Sequence, residues 1–290
     1  MHTRVVAVTT TAILGAVALL IPVHSARAGI SSRPAVIAHR GASALAPENT
    51  LDAVDRAASL GALWVENDVQ RTRDGELVVI HDDSLRRTTD VEEVFPGRAP
   101  WKVKDFTAAE IARLDAGSWF APAYAGVRVP TLTQYVDLVD RNHQKLLLEI
   151  KNPELYPGIE QEVLMLLGDE GWLDERHLVN RLIVQSLNAD CLRTVHELMP
   201  AVQTGMLGMP ALSDLPRFSV FADQVNPSYT ALSWAYVAAV QELTGPHGRP
   251  MKVFTWTVDD SETARAVAGY GVDGVITDKP DVVRRALYWY

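Results

Sequence analysis

The sequence predicts an α/β fold, a (β/α)8 TIM barrel carrying one small insertion, and three observations lead there. Eight short apolar runs rich in β-branched residues alternate with longer segments of helical period, the pattern of a parallel sheet. Setting aside residues 1–28 as a leader leaves 262 of the 290 residues, close to the usual size of such a barrel. No internal repeat, low-complexity tract or linker divides that remainder, so residues 29–290 are expected to form one domain.

The leader is read from charge and hydropathy. His2 and Arg4 precede an apolar run from Val5 to Val23, and Ala26-Arg27-Ala28 forms a small-residue cleavage site. That is the layout of a secretory signal peptide, so the mature protein is expected to be exported, with no stable membrane insertion once the leader is cut. Loss of Arg4 and Arg27 leaves 25 basic against 36 acidic residues, a formal charge of −11. A net anion without a basic stripe excludes a nucleic-acid binder. Cys191 is the one cysteine, so no intramolecular disulfide can form although export would permit it. It follows Asn188-Ala189-Asp190 at an expected helix start and reads as a small buried hydrophobe.

The eight barrel strands are expected at Val36–Ala38, Trp64–Val69, Leu146–Ile150, Leu182–Gln185, Val202–Leu207, Gln224–Asn226, Lys252–Trp256 and Gly274–Thr277. Glu76–Ile80 is also strand-like, but the few residues from Gln70 to Gly75 are too short for a parallel crossover. It must return as a hairpin. Asp74-Gly75, taken as a two-residue type I′ turn, pairs Arg73 with Glu76 and sets His81 across from Asp68. Helix starts are expected at Asn49-Thr50-Leu51-Asp52, Thr107-Ala108-Ala109-Glu110 and Thr131-Leu132-Thr133-Gln134, each with a capping side chain three residues before an acid or amide. The stretch from Asp83 to about Val129 is too long for an ordinary loop and reads as a small inserted subdomain over the barrel mouth. Trp119, Phe120 and Tyr124 are expected to supply its core.

Polar residues cluster where the apolar strands end, and in a parallel barrel those ends surround the active site. The first strand runs into His39-Arg40-Gly41, the second carries Glu66 and Asp68, and the third ends in Glu149-Ile150-Lys151. Residues two apart on a strand face one side, so these acids can converge. Three carboxylates with no thiolate suit a hard cation, Ca²⁺ or Mg²⁺. Two histidines supply an acid and a base at near-neutral pKa, while Arg40 and Lys151 can hold phosphate oxygens. Glu48, Asn49 and Asp278 read mainly as cap and turn residues, and His143, His177, His196 and His247 as surface residues.

The motifs His39-Arg40-Gly41, Pro47-Glu48-Asn49-Thr50, Glu66-Asn67-Asp68-Val69-Gln70, Asp74-Gly75, His81-Asp82 and Leu148-Glu149-Ile150-Lys151 together resemble the glycerophosphodiester phosphodiesterases. The similarity continues through Leu114-Asp115-Ala116-Gly117, Gln185-Ser186, Trp256-Thr257-Val258 and Thr277-Asp278-Lys279-Pro280. The resemblance implies hydrolysis of small glycerophosphodiesters to glycerol 3-phosphate and an alcohol. It also implies His39 and His81 as the acid–base pair, Glu66, Asp68 and Glu149 as ligands of one divalent cation, and Arg40 and Lys151 as phosphate contacts. Trp256 is expected to wall the glycerol site. Asp259 stands where the family commonly has asparagine, and Asn67 where an apolar residue often separates the two acids, which bears on substrate preference. Two alternatives share this barrel: a phospholipase D-like or C-like enzyme acting on (lyso)phospholipid, and a non-catalytic binding protein. Retention of both histidines and all three acids argues against the last.

Overall fold

The computed structural model describes residues 33–289, together with His2, so the expected signal peptide, His2 apart, lies outside the described residues. Nine strands occur among them: β1 (Ala35–Ala38), β2 (Trp64–Arg71), β3 (Leu77–Val79), β4 (Lys145–Ile150), β5 (Leu182–Ser186), β6 (Gln203–Leu207), β7 (Gln224–Asn226), β8 (Lys252–Thr255) and β9 (Gly274–Thr277). All but β3 pair in parallel with both neighbours, and β1 pairs with both β2 and β9, closing an eight-stranded barrel. The fold is a (β/α)8 TIM barrel, with each strand within two residues of its sequence-based range. No helix among the described residues is long and apolar enough to cross a membrane.

Alternation along the strands sorts side chains into two cores. Val65, Val69, Leu146, Leu148, Leu182 and Val184 face outward and pack beneath helices such as Leu132–Arg141 and Ile159–Asp169. Ile37, Leu147, Ile183, Phe254 and Ile276 face inward and plug the barrel at mid-height. On β4 the same inward face therefore carries, in order, Lys145, Leu147, Glu149 and Lys151, placing a cation at the floor and an ion pair at the mouth.

Two helix starts are capped as expected, with Thr107 and Thr131 each completing a capping box. At the first helix the cap is Thr50, which accepts from the Ala53 amide, one residue later than expected. Asn49 is engaged instead with Asp68, its Nδ2 donating to Oδ2 at 2.8 Å.

The hairpin register also differs from the expectation. Val69 pairs with Val79 and Arg71 with Leu77, one residue out of the predicted register. The cause is a three-residue turn. Thr72 bonds to the Glu76 carbonyl, Gly75 takes φ +94°, and Asp74 Oδ1 accepts both the Thr72 hydroxyl and the Ala108 amide. A regular continuation of β3 would turn His81 away from the mouth. The strand stops at Val79, however, and the Gln70 amide donates to the carbonyls of Ile80, His81 and Asp82, fixing a bend that returns His81 to the mouth.

Residues 83–129 contain only short helical turns around Leu85, Val91, Val103, Phe106, Ile111 and Leu114, which pack on Val78 and Ile80. Trp119, Phe120 and Tyr124 are not in that core. They stack edge to face on one another near the surface, Trp119 being 41% exposed, and the Tyr124 hydroxyl bonds to the Leu45 carbonyl in the loop after β1. His177 is likewise not a surface residue. It is buried on Trp172 between Asp174 and Asp140, because its helix, Glu175–Asn180, is pinned by the Asp174 cap. Cys191 is buried, as expected.

Candidate active site

The mouth is built from the turn after β1. Gly41 has φ +82°, and a Cβ there would meet the Ala53 backbone at 2.6 Å, so only glycine fits this close approach. Arg40 also takes a left-handed φ, and its amide donates to Glu66 Oε2 at 2.9 Å. Its guanidinium reaches Glu48 at 2.9 Å and Asp68 at 3.3 Å.

Glu66, Asp68 and Glu149 are all buried, and each offers an oxygen within 4.8 Å of the others. Burial, then repulsion from Asp68 and Glu149, pushes Glu66 well above the ordinary carboxylate range. Burial and Asp68 push Glu149 up to about 7, against the pull of Lys151 at 2.7 Å. Asp68 moves the other way: burial opposes ionisation, but Arg40, Lys151, His81 and Asn49 outweigh it. Asp68 Oδ1 has no hydrogen-bond partner. Crowded, buried acids with an orphaned oxygen form a donor set that a hard divalent cation satisfies, so the residues fit such an ion. Gln185 donates to Glu66 at 3.3 Å, and Asn226 donates to Gln185 at 2.8 Å, extending the polar layer across the barrel.

His39 and His81 line the same cavity, with Arg40, Glu66, Glu149, Lys151 and Trp256. Each histidine is oriented through Nδ1 by a carboxylate, His39 by Asp278 at 2.6 Å and His81 by Asp82 at 2.7 Å. The Nε2 atoms are left for chemistry. Trp256 donates its indole N–H to the Asn226 carbonyl and leaves its ring as wall. All the predicted site residues are thus brought together; Asp68 lies beneath, in contact with Arg40 and Lys151.

The sequence reading missed the positioning residues. Asp278 is no mere turn residue, since it also accepts from Ser43, while Asp259 accepts from its amide and from Thr277. Glu48 joins Arg40 to Arg87, and Arg87 also bonds to Asp82. The sequence carries only a faint signal of this, an acid directly after His81 and one directly after the last residue of β9.

Comparison with known proteins bears on this geometry. Residues 39–282 match the profile of the glycerophosphoryl diester phosphodiesterase family. The chain belongs to that family. A glycerophosphodiester phosphodiesterase of Caldanaerobacter subterraneus subsp. tengcongensis is 38% identical over 86% of this chain and 95% of its own. One from Bacillus subtilis (strain 168) is 32% identical over 94% of each chain. Among solved structures, an Oleispira antarctica phosphodiesterase in complex with its product sn-glycerol 3-phosphate superposes with a TM-score of 0.72 at 29% identity, covering 87% of this chain and 96% of its own. Like its family, the protein is a phosphoric diester hydrolase, and the family's general dependence on a divalent metal agrees with the buried acidic triad.

Proposed function

We propose that the exported mature protein hydrolyses small glycerophosphodiesters to glycerol 3-phosphate and an alcohol, using His39 and His81 as an acid–base pair and one divalent cation, Ca²⁺ or Mg²⁺. The observation that carries this reading is the pair of carboxylate-backed histidines sharing one cavity with the three buried acids.

Glu66, Asp68 and Glu149 would hold the cation, which supplies charge neutralisation for a phosphate oxygen. Arg40 and Lys151 point cationic groups into the same cavity and hold the remaining phosphate oxygens. Burial, with the charges of Arg40 and Lys151, keeps His81 below the ordinary imidazole value despite Asp68. It is therefore neutral near pH 7 and accepts the proton of the attacking nucleophile. His39, held by Asp278, delivers a proton to the departing alkoxide. Trp256 excludes water from one wall and presents its ring to the glycerol carbons.

A second reading, cleavage of lysophospholipid, is favoured by apolar side chains on the segments that follow barrel strands. Leu45, Trp119, Leu187, Met209, Leu212 and Trp234 are each between 36% and 65% exposed. The two readings part in one assay of the purified mature protein on glycerophosphocholine, glycerophosphoethanolamine and lysophosphatidylcholine. Glycerol 3-phosphate released from the first two, abolished by EDTA and restored by Ca²⁺ or Mg²⁺, is the expected result. Full activity after exhaustive chelation sinks the metal assignment, and turnover of lysophospholipid alone selects the second reading. Amino-terminal sequencing of protein from the culture medium or cell envelope should begin at Gly29.

A further inference from the structure

The opposite end of the barrel also carries a cleft. It opens among the amino-terminal ends of the strands, about 300 Å³ in volume, with Arg33, Lys145, Arg249 and Lys252 around it and Trp64 and Phe254 as apolar wall. Lys145 opens β4 and Lys252 opens β8, strands on opposite sides of the barrel, and both side chains lie on the inward face just below the Leu147 and Phe254 plug. A neighbouring cavity of about 410 Å³ shares Gln203, Arg249 and Lys252, so the cleft continues beneath the barrel.

Three features set these cations apart. Several half-buried cations elsewhere have carboxylate partners within 4 Å, Arg40, Arg71, Arg98, Lys102 and Lys151 among them, while half-buried Arg284 donates to the Leu60 carbonyl. Among the described residues, half-buried Lys145 and Lys252 have no carboxylate within that distance, and neither do the exposed Arg249 and Arg33 beside them, Arg33 donating instead to the Tyr288 carbonyl. Asp273, the acid lining the 300 Å³ cleft, has its Oδ2 occupied by Gln241 and the Val253 amide, and Glu175 and Asp223 line the neighbouring cavity. The crowding also has an energetic mark, since burial and then repulsion from Arg181 and Lys252 lower the Lys145 pKa. Finally, the whole chain carries a formal charge of −9, so a composition rich in cations does not account for this cluster.

We propose that the barrel floor is a second binding site, separate from the hydrolytic mouth, for an organic phosphomonoester. A phosphate dianion would relieve the repulsion between the two lysines, and Arg249 offers planar donors suited to its oxygens. The organic part would lie along the apolar wall of Trp64 and Phe254, beside Lys145, whose Nζ is 5.4 Å from the Trp64 ring centroid. No residue of the proposed catalytic set reaches this cleft.

Phenyl phosphate, a phosphomonoester with a flat apolar group, is the probe, and calorimetric titration of the full mature protein is the readout. Binding should survive Lys151→Gln at the mouth. It should weaken by about tenfold or more in Lys145→Gln and Lys252→Gln, about 1.4 kcal/mol. Those two variants should hydrolyse glycerophosphodiesters at the parent rate. Arg249 is exposed, so Arg249→Gln keeps the fold intact and tests the floor should a lysine variant unfold. Binding that is lost in Lys151→Gln and unchanged in the floor variants overturns the proposal. So does the absence of saturable binding up to about 10 mM.

Discussion

His39 and His81 face one cavity but are held there by different parts of the molecule. His39 directly follows β1, its amide bonds to the Thr277 carbonyl on β9, and its Nδ1 partner Asp278 is fixed in turn by Ser43 and Asp259. Nearly every restraint comes from the adjoining strands β1 and β9. His81 lies beyond the end of β3, outside any ladder. It is placed by one buried side chain, Gln70, and by a chain of ion pairs running from Asp82 through Arg87 and Glu48 to Arg40. One histidine is a property of the barrel; the other depends on a side-chain network. Substitutions should therefore separate them.

The largest effects fall on the histidines themselves. His39→Ala and His81→Ala should each lose about 10² to 10⁴ in kcat on glycerophosphocholine. On a p-nitrophenyl diester, whose leaving group departs without a proton, His39→Ala should regain most of its activity and His81→Ala should not. Equal losses on both substrates would erase the distinction between them.

Next come their carboxylates. Asp278→Asn replaces the carboxylate that sets the His39 tautomer with an amide that can equally turn its N–H towards Nδ1, and should cost about 10²-fold, with the same leaving-group dependence as His39→Ala. Asp82→Asn should show no such dependence. Because Asp82 also bonds to Arg87, its loss should additionally loosen Glu48 and raise KM. A shared pattern in the two variants would mean that the two carboxylates do not serve separate proton transfers.

Gln70→Leu tests the network without substituting either histidine. It leaves the carbonyls of Ile80, His81 and Asp82 without their donor, and the Tyr156 hydroxyl without its acceptor. The expected cost is about 1–3 kcal/mol in unfolding free energy, with a fall in kcat that ignores the leaving group. Unchanged kcat would show that His81 needs no such brace.

The same contrast explains what could be read in advance. Strand positions and the inward pairs Glu66/Asp68 and Glu149/Lys151 follow from period-two alternation, which is local, so they were legible. His39 was legible for the same reason. Asp278 was not, because its partner lies 239 residues away and an acid before a helix looks like a turn residue. The hairpin register failed where a tertiary contact, Asp74 to the Ala108 amide, accompanies a three-residue turn. His81 nevertheless reached the mouth because Gln70 overrides the ladder, and nothing in a strand pattern announces a side chain used that way. Trp119, Phe120 and Tyr124 were expected in the core of the insertion, whereas Val103, Phe106 and Leu114 fill it.

The smallest effect is on acid stability, and it too should separate the two arms. His81 has its folded pKa held below 6.5 by burial together with Arg40 and Lys151. The folded state thus binds fewer protons there than the unfolded state, so stability falls as pH drops below about 6.5 and levels off below the folded value. Asp82 gives a second window. Burial raises its pKa, but hydrogen bonds from Arg87 and His81 outweigh that and bring it from 3.8 to about 2. Its contribution is present above pH 3.8 and is lost as pH falls through about 2. Glu149, pushed up to about 7, acts with the opposite sign in the first window, its contribution fading as pH rises. The His81 effect is therefore read as a difference between the parent and His81→Gln in urea unfolding midpoints across pH 5–8, and the Asp82 effect as the matching difference for Asp82→Asn between about pH 4 and 2. The parent should lose its advantage over Asp82→Asn in the acid window, while His81→Gln should lose less stability than the parent on going from pH 8 to pH 5. A His81→Gln curve parallel to the parent's would mean that the imidazole titrates alike in the folded and unfolded states, and with it would go the reason for naming His81 the proton acceptor.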